Sequence, residues 1–327
     1  MKYLVRRLGF LLVALWGALT LNFFIPRLMP GNPAQAMMAK FHGHVNPNAI
    51  KALEVAFGVN THQSLISAYF DYLRNSLSGN FGVSVSYFPL SVSSVIAKAL
   101  PWSLSLVGVT TILGFVIGTG LGALTAWRRG GALDNVVPPV FIVISAFPYF
   151  WVGLLSVWLF SLTLGWFPLL GAYDETITPT WTWGFVANVL WHAVLPASTI
   201  LVTSIGGWIL TMRNNMITVL SEDYVKMARA KGLKPRRIIW QYAGRNALLP
   251  NLTGFAMSLG FVISGAILVE YVYNYPGVGF MLLQAVENED YALMQALFLL
   301  ITVAVLIAIF ISDILTAILD PRTRANQ

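Results

Sequence analysis

Residues 221–250 read SEDYVKMARAKGLKPRRIIWQYAGRNALLP and form the longest polar passage between apolar runs in the second half of the chain. The passage holds seven of the twenty Lys and Arg residues. Ser221–Asp223 is typical of a helix start, because acids there complement the helix dipole. Gly232 can take positive φ and end that helix after about two turns. Since proline suits a first helical position, Pro235 predicts a second helix, and the passage becomes a helix–Gly turn–helix.

The composition places this passage in a membrane protein. Of 327 residues, 57% are hydrophobic and only 10% are charged, whereas soluble domains carry about 25% charged residues. The net charge of +7 indicates cytoplasmic loops and lipid headgroups rather than nucleic acid as partners. There are no cysteines, which excludes disulfides, thiolate catalysis and Cys-ligated metals.

Six apolar runs are long enough to cross a bilayer, which takes about 20 residues. The first run exceeds the apolar region of a cleaved signal peptide and no small-residue cleavage site follows it, so it is predicted to stay as a span. Pro148 interrupts the third run and Pro196 lies in the fourth, and each predicts a kink or loosened turn. The runs are Leu8–Met29, Pro101–Trp127, Val136–Leu164, His192–Met212, Leu252–Tyr273 and Leu293–Leu319.

The distribution of Lys and Arg predicts the orientation. With the amino terminus inside, fifteen of these twenty residues lie on the inner side and five on the outer side. The outer segments 165–191 and 274–292 contain neither Lys nor Arg. By the positive-inside rule, the prediction is an all-α polytopic protein of six transmembrane helices, N-in/C-in, with residues 221–250 in the cytoplasm.

Three regions follow from these spans. Residues 1–29 are the amino-terminal tail and first span, and residues 101–327 are the core of spans two to six. Residues 30–100 form an external segment that is too long for a turn. Asn46-Pro47 is a plausible helix start in it, and apolar residues recur at helical spacing between His62 and Leu77. We therefore expect a small helical segment outside the membrane.

Several kinds of chemistry are disfavoured. No lysine follows a glycine and none precedes serine or threonine, so a phosphate-cradling loop for ATP is missing. His42 and His44 lack the further ligands that a zinc site needs, and ordinary loop histidines are favoured. An intramembrane enzyme is disfavoured because no nucleophile–base or metal constellation occurs within the spans. We expect a non-catalytic chain with no cofactor of its own.

Two acids fall at membrane depth, where a carboxylate needs compensation. For Asp313, near the inner end of the sixth run, a structural partner or contact with water is favoured. For Glu270, near the outer end of the fifth run, a structural role and a place on a water-filled pathway are equally favoured. Aromatic residues also crowd the outer 165–191 segment, and an interfacial belt is favoured over stacking on sugar rings. These aromatics are Trp166, Tyr173, Trp181, Trp183 and Trp191.

The 221–250 segment is held by a span at each end, so a soluble partner that pushed it could move both spans. The alternatives are a basic loop that binds anionic lipid, or a channel or sensor with such a loop. The segment contains three motifs, Glu222-Asp223-Tyr224-Val225, Ala228-Arg229-Ala230-Lys231-Gly232-Leu233 and Arg245-Asn246-Ala247-Leu248-Leu249-Pro250. Together they resemble the EAA loop of ABC importer permeases, specifically of the dipeptide/oligopeptide type. This resemblance favours a segment that is pushed by a soluble partner.

The resemblance extends along nearly the whole chain. Further motifs in the family's order are Met29-Pro30-Gly31-Asn32-Pro33, Gly79-Asn80-Phe81-Gly82, Leu195-Pro196-Ala197, Tyr275-Pro276-Gly277-Val278-Gly279 and Asp320-Pro321-Arg322. The chain departs from the family pattern at Asn32 and Asn80, where Asp is common, and at Glu289-Asp290-Tyr291-Ala292, where Arg-Asp-Tyr-Pro is usual. The long external segment resembles the first of the two permease subunits in such systems.

The resemblance implies a type I importer in a bacterial or archaeal cytoplasmic membrane. Its implied partners are a second homologous permease, two cytoplasmic ATPases that bind ATP and Mg²⁺, an external solute-binding protein and the lipid bilayer. The cargo class stays open between peptides, oligosaccharides such as cello-oligosaccharides, and nickel chelates. The implied ATPase-coupling residues are Glu222, Asp223, Tyr224, Ala228, Arg229 and Gly232. We place Glu270 and Pro148 on the pathway or gate.

Overall fold

The computed structural model describes residues 2–28 and 64–319, and in them every regular element is helical apart from one isolated bridge between Val83 and Ser91. The Asn46-Pro47 helix start, His42, His44 and His62, and the motifs at 29–33 and 320–322 lie outside the described residues. The helices are α1 (Lys2–Leu28), α2 (Leu65–Ser78), α3 (Val92–Trp127), α4 (Ala132–Ser145), α5 (Tyr149–Ser156), α6 (Trp183–Leu220), α7 (Asp223–Ala230), α8 (Gly244–Phe261), α9 (Ile267–Val272), α10 (Val278–Glu287) and α11 (Tyr291–Leu319).

Five stretches of helix are long and apolar enough to cross a membrane, and a bent pair makes a sixth, so the all-α, six-span prediction is confirmed in the described residues. The spans differ in their limits from the predicted runs. Helix α3 begins at Val92 and passes through Pro101, which had been predicted to open the second span. Helix α6 likewise runs from Trp183 to Leu220 with Pro196 inside it. Both helices extend beyond the apolar runs by which hydropathy located them.

Two of the spans are broken. The third consists of α4 and of α5 with its continuation to Thr163, which meet at an angle of 93° beside Pro148. The fifth runs through α8 into a tight turn at Val262–Ser264, and then breaks at Gly265, where φ is +69°. Proline removes a backbone donor, and positive φ interrupts regular helix, so each break has an identifiable local cause.

Helices α3 and α6 form the central pair of the bundle. Gly118 lies against Trp208 and Ile205, and a Cβ at Gly122 would lie 2.5 Å from the Ile209 carbonyl oxygen. Small residues at such positions let two helix backbones approach closely, which gains the dispersion contacts that hold helices together in lipid. This pair forms the frame against which the broken spans pack.

Helix α1 packs along α11, and polar contacts join them at both ends. Arg7 pairs with Asp313 at 3.0 Å, so the structural interpretation of Asp313 is confirmed. Near the other end, Asn22 Nδ2 donates to the Gln295 carbonyl at 2.8 Å and to the Tyr72 hydroxyl at 3.0 Å. Tyr72 lies on α2, which confirms the helix predicted between His62 and Leu77 and attaches it to the first span.

The outer segment 274–292 is more than a loop. It contains α10, whose Val278, Leu282 and Ala285 are buried against α3 and α11. The search for spans did not predict this helix, because its ten residues are too few to cross a bilayer. Its amino terminus lies directly over Glu270.

Candidate functional site

Helix α7 occupies the predicted position in the 221–250 segment. Glu222 precedes it in extended conformation, but its side chain does not cap the helix. Asp223, in the first turn, accepts a hydrogen bond from Lys226 Nζ at 2.9 Å. This lysine holds the pKa of Asp223 below its usual range, so the carboxylate stays charged at the start of the helix.

The inner face of α7 is apolar and fixed to the membrane helices. Val225 and Ala228 are buried in a cluster with Met216 of α6, Ala126 of α3 and Ile239 after α7. Ala228 therefore does not form part of an exposed docking surface, although the resemblance placed it among the coupling residues. Its small side chain lets α7 lie close on the ends of α3 and α6, so a displacement of α7 must displace those helices or separate them.

The outer face of α7 is exposed. It presents Glu222, Asp223, Tyr224 and Arg229, four of the six predicted coupling residues, together with Met227, which is 60% exposed. Arg229 also lies over the Trp127 ring, with its guanidinium carbon 5.3 Å from the ring centroid. Such a cation–π contact orients the arginine while leaving its donors accessible.

Gly232 ends this helical unit in the predicted way. Its φ is +73°, its amide donates to the Arg229 carbonyl at 2.9 Å, and the Leu233 amide reaches the Ala228 carbonyl at 3.3 Å. A Cβ at Gly232 would meet no atom within 4 Å. The requirement for glycine is therefore conformational rather than steric.

The second helix of the segment begins at Pro235 as predicted and continues through a π-helical turn, Ile238–Ala243, into α8. At Gly244 a Cβ would lie 2.5 Å from the Ile239 carbonyl oxygen, so this wide turn needs a glycine. Pro250 lies within α8. The second half of the segment is thus continuous with the fifth span.

Pro148 lies where the two broken spans approach each other. A cavity of about 550 Å³ is bounded there by the α4–α5 break, by Thr203 and Ser204 of α6, and by Gly265 and Ala266. None of its lining residues is charged. Irregular backbone at membrane depth is tolerated where it is buried in protein or lines a water-filled cavity. The cavity thus provides an uncharged, largely apolar environment with a few hydroxyl groups between the broken spans.

Glu270 has no exposed surface and therefore does not line an open path in this structure. Its Oε1 accepts from the Ser103 hydroxyl at 2.7 Å, and its Oε2 accepts from the amides of Gly279 at 2.8 Å and Phe280 at 3.2 Å. These amides begin α10, where the helix dipole favours a carboxylate. The geometry favours the structural interpretation, in which Glu270 joins α3, α9 and α10.

Glycines make room for this carboxylate. A Cβ at Gly265 would lie 2.6 Å from Glu270 Oε1, and one at Gly277 would overlap both Oε2 and the Ser103 hydroxyl. Ser103 also accepts from the Val278 amide at 2.7 Å. The Tyr275–Gly279 motif therefore surrounds a buried acid, a role that the sequence did not indicate.

Two further buried acids were missed. Asp134, in the first turn of α4, accepts from Arg213 Nε at 2.5 Å and from Arg213 Nη2 at 3.1 Å, and also accepts from the Gly130 amide at 3.0 Å. Asp290 binds the Ser84 hydroxyl and the amides of Ser86 and Leu293. Each acid lies at the edge of an apolar run, and this position was the only feature of the sequence that could have indicated its burial.

His192 and the aromatic residues of the 165–191 segment are not among the residues that form these sites. His192 Nδ1 contacts the Asn188 carbonyl at 2.9 Å, and the described residues contain no group of three potential metal ligands. Trp191 stacks on Phe167 and Tyr173 stacks on Trp102, whereas Trp181 and Trp183 project from the protein. Neither the belt nor the sugar-stacking interpretation of these aromatics is tested by their contacts.

Comparison with known proteins identifies this architecture. Residues 118–325 match the family model described as "Binding-protein-dependent transport system inner membrane component". A di/tripeptide transport system permease protein of Pseudomonas aeruginosa (strain UCBPP-PA14) is 32% identical, with both chains covered completely. A dipeptide permease of Lactococcus lactis subsp. cremoris (strain MG1363) is 32% identical over 99% of each chain, and an oligopeptide permease of Bacillus subtilis (strain 168) is 33% identical over 98% of each. The chain therefore belongs to the family of binding-protein-dependent transport system inner membrane components, the multi-pass, non-catalytic permease subunits of ABC transporters.

Proposed function

We propose that this permease forms half of a path that imports dipeptides and oligopeptides across the bacterial or archaeal cytoplasmic membrane. The full-length similarity to permeases named for peptide transport supports this cargo class. A second homologous permease supplies the other half of the path, and an external solute-binding protein delivers the peptide. The energy comes from ATP and Mg²⁺ on two cytoplasmic ATPase subunits, since this chain has no phosphate-binding loop.

The observation that carries the proposal is the two-sided character of α7. Its inner face is packed on the cytoplasmic ends of α3 and α6, and its outer face is exposed. Glu222, Asp223, Tyr224 and Arg229 contact the ATPase in this proposal, while Ala228 and Gly232 position them. Closure of the ATPases would then displace α7, and the packed helix ends would move with it.

The cavity beside Pro148 is the proposed place where the path is opened or closed. It is lined from two broken spans, and breaks let the two halves of a span move separately. Its uncharged lining suits a cargo whose side chains vary in charge while its main chain stays the same. Glu270 in this proposal is a positioning residue that holds α10 above the path.

The experiment is uptake by the complete transporter reconstituted in proteoliposomes, with labelled dipeptides, labelled cello-oligosaccharides and ATP hydrolysis measured in parallel. We expect ATP-dependent peptide uptake by the wild type. Gly232→Pro should abolish uptake while ATP hydrolysis continues, because proline excludes φ of +73° and removes the amide donor. Gly232→Asn is the matched control, since asparagine tolerates this conformation. Uptake of sugar without peptide, or full uptake by Gly232→Pro, would contradict the proposal.

A further inference from the structure

A cavity of about 420 Å³ opens beside α7 on the side that the charge distribution assigns to the cytoplasm. The Tyr224 hydroxyl of α7 accepts a hydrogen bond from Asn246 Nδ2 at 2.7 Å and reaches the Tyr242 carbonyl at 3.4 Å. These bonds fix one wall of the cavity in position. Its lining residues are Tyr224, Gln241, Tyr242, Arg245, Asn246 and Leu249.

Arg245 gives this cavity an uncompensated positive charge. Its side chain is exposed, and the three ion pairs formed within residues 2–28 and 64–319 join other residues. The nearest acid of α7 along the chain, Asp223, is already paired with Lys226. A concave site lined by tyrosine, arginine and amide side chains, with its charge unmatched, has the composition of a hot spot at a protein interface.

We propose that this cavity receives an acidic side chain of the cytoplasmic ATPase subunit and that Arg245 is its ion-pair partner. This inference rests on the proposed function of α7. Because Tyr224 belongs both to the outer face of α7 and to the cavity wall, a partner that lies on α7 also covers the mouth of the cavity. The planar guanidinium of Arg245 can hold a carboxylate through two parallel hydrogen bonds.

The first test measures how much ATPase stays bound to the tagged, complete transporter as the KCl concentration is raised. Arg245→Glu should weaken ATPase binding about tenfold or more, since a like charge would face the incoming carboxylate. The matched control is Arg236→Glu, which introduces the same charge change at an exposed arginine of the same segment outside the cavity. We expect that control to stay within about twofold of the wild type, as rim charges usually do.

The second test uses Arg245→Lys and a carbodiimide, which condenses an amine and a carboxylate into an amide with loss of water. We expect mass spectrometry to find residue 245 joined to an Asp or Glu of the ATPase. A cross-link to the second permease instead, or unchanged ATPase binding by Arg245→Glu, would overturn the inference. So would ATPase binding that depends on anionic lipid and not on residue 245. If the wild type binds no ATPase, the proposed function itself fails, which is a different result.

Discussion

The ion pair between Asp134 and Arg213 yields a quantitative prediction about how the permease is held together. The pair fixes the amino terminus of α4 to α6, seven residues before α6 ends and α7 follows. The Asp134 side chain is 4% exposed and that of Arg213 is 23% exposed. Removing one member of a buried pair usually costs about 3–5 kcal/mol, because the other charge is left without compensation.

The unequal burial predicts unequal costs. Arg213→Met would leave an almost fully buried carboxylate without its ion-pair partner, so it should cost about 3 kcal/mol or more. Asp134→Asn leaves an arginine that is partly solvated and keeps an acceptor for the Gly130 amide, so it should cost about 1–2 kcal/mol. The double variant should recover most of the loss, since replacing both charges removes the desolvation cost as well.

Reversible unfolding of the purified permease in mixed micelles of increasing SDS, followed by tryptophan fluorescence, would measure these free energies. The matched control is Asp313→Asn, which breaks the more exposed pair with Arg7 and should cost less than about 1 kcal/mol. The reasoning fails if Asp134→Asn costs more than Arg213→Met. It also fails if the double variant is as unstable as the sum of the single ones, because the two charges would then be independent.

Three further outcomes are expected. Gly232→Ala should lower stability by about 1–2 kcal/mol through backbone strain alone, and the same SDS titration should show Gly232→Asn closer to the wild type. Glu270→Gln should loosen α10, because the side-chain amide has a single acceptor oxygen. If that oxygen accepts from the Gly279 and Phe280 amides, the NH₂ group faces the Ser103 hydroxyl, which donates to the second carboxylate oxygen in the wild type. Hydrogen exchange at the start of α10 should therefore rise, and unchanged exchange would argue against the capping role. Asp290→Asn should raise exchange at Ser86 but leave α7 unaffected, and an effect on α7 would show that these sites are coupled.

The sequence was informative where the deciding interactions are local. The start of α7, the positive φ at Gly232 and the helix opening at Pro235 all depend on residues within one or two turns, and all three were predicted. The 3.6-residue periodicity likewise located α2. The limits of α3 and α6 were missed, because hydropathy reports where a helix is apolar and not where its hydrogen bonding ends.

The buried acids show why the rest could not be predicted. An acid in an apolar run signals that compensation exists, but the compensating donors lie far away along the chain. Ser103 is 167 residues from Glu270, and Arg213 is 79 residues from Asp134. The apolar context of Glu270 therefore indicated that its carboxylate needs compensation. It did not indicate whether Glu270 lines a pathway or has a structural role. That distinction required the amides of α10, which no pattern of side chains reveals.

In the proposed function, these buried contacts provide a route from α7 to the cavity beside Pro148. Helix α6 carries α7 at its inner end and is clamped to α4 through Arg213, and α4 leads to the break at Pro148. Gly206 lies so close to Phe141 and Ser145 that α4 cannot slide freely along α6. In the proposed mechanism, a movement of α7 would be passed to the cavity through α6 and α4. If Arg213→Met kept full coupling of ATP hydrolysis to uptake in folded transporter, the movement would have to pass through α8 instead.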